Sequence, residues 1–155
     1  MEVPSSRDCL VCRKHRGEMP VAGGPIYEDE LIFVSHAQLG GQATEQYLGY
    51  LFIEPKRHVP ELADLSELEA QAVGLYTTRL ARALMHTEGA EHIYAFVIGD
   101  GAPHVHLHLV GRYPGAPCQY WGPRVDEWPD APHGTERDIE KVAARVRRFL
   151  QEHYG

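Results

Sequence analysis

A chain of 155 residues that is 43% hydrophobic carries enough apolar material for one domain with a real core. Its formal charge of −7 argues against a general nucleic-acid coat, and three cysteines are too few and too oddly numbered for a disulfide framework. No apolar run approaches the length of a membrane span, and the opening "MEVPSSRDCL" lacks the basic start and apolar stretch of a signal peptide. The expectation is therefore a single domain over residues 1–155, soluble and cytoplasmic, with neither a membrane nor a nucleic-acid partner.

In chain order, the first feature is Cys9 and Cys12 in "CLVC". A C-x-x-C is either a redox pair or half of a zinc site, and no thioredoxin-like βαβ pattern follows it, which favours zinc. "PIYEDELIFVSH" reads as a hairpin turning at Glu28-Asp29. After the polar connection "LGGQATEQ", "YLGYLFIEP" reads as a strand stopped by Pro55. Lys56 and Arg57 follow that stop, where charges belong to a solvated loop.

A helix is predicted from Ser66, whose spacing to Glu69 is that of a capping box, to Gly89 as C-cap. Leu68, Ala72, Leu75, Tyr76, Leu80, Ala83 and Leu84 are expected to form its buried stripe. "HIYAFVIG" and "HVHLHLVGR" read as two strands joined by "DGAP". The Pro-rich "YPGAPCQYWGPRVDEWPDAPHG" reads as irregular, with Trp121 and Trp128 packing over a site or at a subunit contact. A last helix starts near Thr135 and presents Ile139, Val142, Val146, Phe149 and Leu150 on one face. The fold class is α+β: an antiparallel sheet of about five strands, one long helix and a C-terminal helix.

The chemistry concentrates in "HVHLHLV", where His104, His106 and His108 alternate with Val105, Leu107 and Leu109. Strict alternation puts the three imidazoles on one face of a strand, with neighbouring rings about 7 Å apart at roughly 3.3 Å rise per residue. An imidazole with a reference pKa of about 6.5 is a nucleophile near neutral pH without prior deprotonation. Gly99 and Gly101, flanking Asp100 in the turn before the row, suit either a phosphate cradle of backbone N–H groups or a plain tight connection.

"CLVC", "PIYEDELIFVSH", "GYLFIEPKRHVPELADLS" and "HVHLHLVGR" together, over roughly residues 9 to 113, resemble the histidine-triad (HIT) family of nucleotide hydrolases and transferases. That resemblance implies a HIT-like fold, usually paired as a homodimer, and a nucleotide-type small-molecule substrate with no organic cofactor. It implies that His106 attacks the α-phosphate to form a nucleotidyl-histidine intermediate, with His104 and His108 as the other catalytic members. A backbone carbonyl accepting the Nδ1 proton of His106 would leave its Nε2 bare towards phosphorus. A third histidine, rather than glutamine, implies hydrolysis rather than transfer.

The resemblance also offers His58 and His104 as the partners of Cys9 and Cys12 in a structural zinc site, with His15 as the nearest rival. His36 and Phe33 are expected to bind substrate, together with Gly99, Asp100 and Gly101, and both Phe33 and Tyr27 suit either a base pocket or the core. Two departures stand out: Ala37 occupies the place of a ribose-binding Asp, and the loop before the row lacks a Gly-Gln-Ser-like run. Two other readings remain open: a nucleotide-binding module without turnover, and a zinc-dependent lyase or hydrolase using the three alternate histidines as ligands.

Overall fold

The chain is described over residues 5–155 by a computed structural model. Its main sheet has five antiparallel strands in the order β1-β2-β4-β6-β5: β1 Tyr27–Glu28, β2 Ile32–His36, β4 Tyr50–Pro55, β6 Leu107–Arg112 and β5 His92–Phe96. The expected α+β class, sheet, long helix and C-terminal helix are all present. A second, two-stranded sheet pairs β3 Gln46–Tyr47 with β7 His133–Gly134.

Each local signal has a physical cause. The β1–β2 turn is fastened by Asp29, whose carboxylate accepts from Leu31 N–H (2.7 Å) and Ile32 N–H (2.9 Å). The long helix α2, Glu67–Glu88, begins at the capping box of Ser66 and Glu69 and ends at Gly89 in the left-handed region (φ 75°). The C-terminal helix α3, Glu136–Tyr154, follows Thr135, whose N–H donates to the Asp138 carboxylate at 2.9 Å. All five residues of its expected apolar face are buried.

Alternation gives the main sheet two unlike faces. Ile32, Val34, Leu51, Ile53 and Leu109 join Leu80 and Leu84 of α2 and Val142 and Val146 of α3 in one core. On the other face Phe33 and Phe52 meet a six-residue helix, α1 Leu10–His15, through the Lys14 ammonium at 5.8 and 5.7 Å from their ring centres. Trp128 joins the core, whereas Trp121 lies half-exposed under the Arg112 guanidinium, 3.9 Å from it.

The structure corrects the expected elements in three places. The segment "YLGYLFIEP" is not one strand, because Gly49 turns it at φ 80° and separates β3 from β4. The triad strand begins at Leu107 and not at His104, because the carbonyl of His104 accepts from the His106 ring (2.7 Å) and is lost to the ladder. Leu68 and Leu75 are exposed, since at about 100° per residue they fall a quarter-turn or more from the centre of the stripe formed by Glu69, Val73, Tyr76 and Leu80. Tyr27 stacks on Tyr76 of α2 (4.0 Å), so it packs on the helical face and not in a base pocket. The short α1 and the β3–β7 pair were outside the sequence expectation.

The turn at Gly49 bears on stability. Gly49 N–H donates to His36 Nε2 (3.0 Å), the Leu48 carbonyl accepts from Tyr113 Oη (2.9 Å), and a Cβ at Gly49 would collide with that hydroxyl. We predict that Gly49→Ala costs about 2–4 kcal/mol, combining left-handed backbone strain with overpacking. Gly99→Ala, at φ 78° with open space around it, should cost only about 1–2 kcal/mol. Denaturant unfolding of the two variants checks this, and equal losses would contradict it.

Candidate active site and metal cluster

His104 is fully buried and turns away from the other two triad members. Its Nδ1 lies 3.5 Å from Cys9 Sγ and 3.4 Å from Cys12 Sγ, and its Nε2–H donates to the Pro55 carbonyl at 2.7 Å. His58, in the loop after β4, brings its Nδ1 to 3.4 Å from Cys12 Sγ. The four donor atoms of Cys9, Cys12, His58 and His104 all lie within 4.8 Å of one another. The six-residue α1 does this work at the cysteine end, because one helical turn carries Cys9, at its N-cap, and Cys12 to the same side.

The donor set fits a structural zinc. Zn–S of about 2.3 Å and Zn–N of about 2.0–2.1 Å at tetrahedral angles separate sulfur from nitrogen by about 3.5 Å. Three of the four sulfur–nitrogen distances are 3.4–3.5 Å, and all four donor atoms stay within 4.8 Å of one another. The Pro55 carbonyl holds the Nε2 proton of His104, which leaves Nδ1 as the ligating atom, the arrangement that orients metal-bound imidazoles generally. Without an ion, burial and then the neighbouring Cys9 push the Cys12 thiol up to about 11. His15, the rival ligand, is engaged elsewhere: its Nε2–H donates to Glu54 Oε2 at 2.8 Å.

His106 and His108 form the second part of the site. His106 Nδ1–H donates to the His104 carbonyl at 2.7 Å, so Nε2 carries the free lone pair. Its ring centre is 5.0 Å from that of His108, closer than strand spacing alone suggests, because His106 precedes the ladder. The register sets Phe52 of β4 and Phe96 of β5 on either side of His108, with ring centres 4.9 and 4.8 Å away. Burial, and then the neighbouring His106, push His108 down to about 4, so its ring is neutral at pH 7. Tyr50 Oη meets its Nδ1 at 2.6 Å, while its Nε2 is buried without a partner.

Beside these rings a cleft of about 200 Å³ is lined by Leu10, Val11, Lys14, Met19, His36, Gln38 and Phe52. A second, of about 280 Å³, shares Lys14, Met19 and Gln38 and extends to Glu136 and Ile139. Their shared charged member, Lys14, is tied down by Glu54, whose carboxylate it meets at 2.6 Å. Burial alone would raise the Glu54 carboxyl, but the His15 hydrogen bond and the Lys14 ammonium hold it below the ordinary carboxylate value.

The other expected substrate contacts fare unevenly. His36 lines the smaller cleft, but it is fully buried, donates from Nδ1 to the Ala37 carbonyl (2.7 Å) and accepts Gly49 N–H at Nε2, so both nitrogens are engaged by backbone. Phe33 is buried and stacked on His15 at 4.8 Å. Gly99, Asp100 and Gly101 lie in the loop before β6, Gly99 in the left-handed region, and no hydrogen bond joins them to His106 or His108. Ala37 is buried and leaves no carboxylate at its position. Lys14, Glu54, Tyr50, Phe52 and Phe96 were not singled out in the sequence. An acidic residue inside the apolar run "YLFIEP" was the one available signal.

His104 lies in the cysteine cluster while His106 and His108 lie outside it, which speaks against the reading in which all three alternate histidines ligate one metal. Among the described residues, the group of at least three metal-binding side chains is the Cys9, Cys12, His58 and His104 cluster. A HIT domain model matches residues 25–115, more than half of the chain. The protein belongs to the HIT family. Membership carries nucleotide hydrolase or transferase activity as the general expectation for the fold's triad.

Among solved structures, a zinc-bound histidine triad family protein from Mycobacterium smegmatis is similar at 21% identity over 96% of each chain (TM-score 0.69). A Hit-like protein involved in cell-cycle regulation from Bartonella henselae is similar at 18% identity over 96% of this chain and 100% of that one (TM-score 0.71). A HIT protein from Sinorhizobium meliloti is similar at 21% identity over 94% and 100% (TM-score 0.66). At these identities the likeness bears on the HIT fold alone. No curated protein matches the chain. No helix among the described residues is long and apolar enough to cross a membrane.

The Glu54 pair makes a stability prediction. Glu54→Gln leaves the Lys14 ammonium unpaired over two aromatic rings, at an expected cost of about 2–4 kcal/mol, shifted below the usual ~3–5 kcal/mol for breaking a buried pair because Lys14 can swing to water. The double variant Lys14→Met, Glu54→Leu should recover most of it, since well-packed apolar groups replace such pairs at little cost. Urea unfolding decides, and a Glu54→Gln variant as stable as wild type would contradict the account.

Proposed function

We propose that this HIT protein is a nucleotidyl hydrolase acting on a phosphoanhydride or phosphoramidate of a nucleotide. The observation that carries this reading is the His106 tautomer. With Nδ1–H on the His104 carbonyl, the Nε2 lone pair attacks the α-phosphorus, a P–N bond forms, and the bond from phosphorus to the leaving group breaks. The leaving group departs with a proton taken from solvent, and the hydrolytic water of the second step returns one. Water then cleaves the P–N bond, releasing a nucleoside monophosphate and restoring neutral His106. His108 donates to a non-bridging oxygen or to the leaving group, in a contact that strengthens as charge develops.

The nucleoside half of the substrate occupies the cleft along Lys14, Met19, Gln38 and Phe52. Gln38 is itself engaged, accepting Ala22 N–H (2.7 Å) and donating to the His36 carbonyl (2.8 Å). With Ala37 in place of a carboxylate, recognition of the sugar hydroxyls is weak and the phosphate end dominates binding.

A zinc ion held by Cys9, Cys12, His58 and His104 is the proposed structural cofactor, tying the N-terminal segment to the catalytic loop. The assembly is proposed to be a homodimer in the cytoplasm. The outer edge of β5 and the exposed Leu68 and Leu75 support the pairing.

His106→Asn tests the function. Because the ring is half-buried outside the core, the variant should fold normally yet lose hydrolysis of an adenosine phosphoramidate or a dinucleoside polyphosphate by about three orders of magnitude. Retention of more than about a tenth of the wild-type rate would end the covalent mechanism. The zinc is tested by metal content of protein purified without added zinc. About one ion per chain is expected, lost in Cys9→Ala together with thermal stability and kept in His106→Asn. A metal-free wild type that melts with Cys9→Ala would overturn the metal site.

A further inference from the structure

The buried, unpartnered Nε2 of His108 needs an account, and its other nitrogen supplies one. Tyr50 and Val110 are cross-strand partners, as are Phe52 and His108, so Tyr50 lies diagonally across from His108 and its long side chain reaches the ring. The Oη–Nδ1 distance is 2.6 Å, and the phenol has no other hydrogen-bond partner among the described residues. We propose that Tyr50 is a positioning residue that donates its hydroxyl proton to His108 Nδ1, fixing the imidazole as the Nε2–H tautomer with its donor presented to the phosphoryl oxygens.

Both groups are neutral at pH 7: burial raises the Tyr50 phenol to about 12 and lowers the His108 imidazole to about 4. A neutral imidazole has one ring proton. A phenol donating to Nδ1 leaves that proton nowhere but Nε2. The reverse arrangement, with Nδ1–H donating to the phenol, would turn a bare lone pair on Nε2 towards phosphate oxygens that are themselves acceptors. Phe52 and Phe96 pack against the ring, with ring centres 4.9 and 4.8 Å away, and oppose a flip that would exchange the nitrogens. The two neighbouring histidines are thereby set to opposite tautomers. The His104 carbonyl holds the Nδ1 proton of His106 and bares Nε2 for attack, whereas the Tyr50 hydroxyl occupies Nδ1 of His108 and leaves Nε2–H to donate.

This inference rests on the proposed nucleotidyl-transfer chemistry for its purpose, and its test separates the two. In wild-type protein carrying ¹⁵N-labelled histidine, two-bond nitrogen–proton spectra at neutral pH should show His108 protonated at Nε2. Tyr50→Phe should convert that signature into a mixture of tautomers. On an adenosine phosphoramidate it should lower kcat about tenfold or more with KM within about twofold, the pattern for a contact realised in the transition state. A wild-type His108 protonated at Nδ1 would overturn the proposal without recourse to any variant. So would a Tyr50→Phe protein with unchanged tautomer and unchanged kcat. A wild type inactive on both adenosine phosphoramidate and dinucleoside polyphosphate would overturn the hydrolase reading, and the tautomer spectra would still decide the role of Tyr50.

Discussion

One residue, His104, joins the two halves of the site, and three of its groups act in three directions. Its Nδ1 faces the cysteine sulfurs, its Nε2–H binds the Pro55 carbonyl, and its own carbonyl accepts the His106 ring proton. Any shift of the imidazole would move the carbonyl that sets the His106 tautomer. Full burial removes competing water from all three contacts. The first triad histidine is thus an anchor for the backbone, and the second takes its chemical character from that anchor.

The sheet supplies the rest of the geometry. β4 and β6 pair from Tyr50–Val110 to Ile53–Leu107, and beyond the last pair the chains stay in contact through Val105 N–H to the Val59 carbonyl (2.8 Å) and His104 to Pro55. The loop carrying His58 is consequently held beside the loop carrying His104. On the same face, Glu54 gathers Lys14 and His15, so α1 is pinned by an ion pair and a hydrogen bond as well as by its place in the cysteine cluster. The aromatic walls around His108 exclude water. That exclusion is the main cause of its lowered pKa and strengthens every hydrogen bond made inside.

Much of this was legible in the residues. Ser66, Glu69 and Gly89 mark the ends of α2 by chemistry that depends on neighbours only a few residues away, and the apolar period of α3 survives intact in its buried face. The cysteine pair named half of a cluster, and the family resemblance supplied His58 and His104. Period-two alternation failed at His104 because it assigns faces only while a ladder continues, and the ring-to-carbonyl bond of His106 ends the ladder first. The engagement of His36 was not legible, because its sequence position says nothing of Gly49, which claims its Nε2 from another turn. Tyr50 and Glu54 were missed because their partners lie 58 and 39 or 40 residues away. α1 is too short at six residues to show a period at all.

The central claim is that the His104 carbonyl makes Nε2 of His106 the nucleophile. The direct measurement is mass spectrometry of wild-type protein mixed with a slowly hydrolysed adenosine phosphoramidate and quenched under alkaline conditions, which preserve a P–N bond. The account predicts a nucleoside monophosphate adduct that maps by fragmentation to His106 and disappears on brief acid treatment. An adduct on His108 or another residue, or none while the substrate is being turned over, would contradict it.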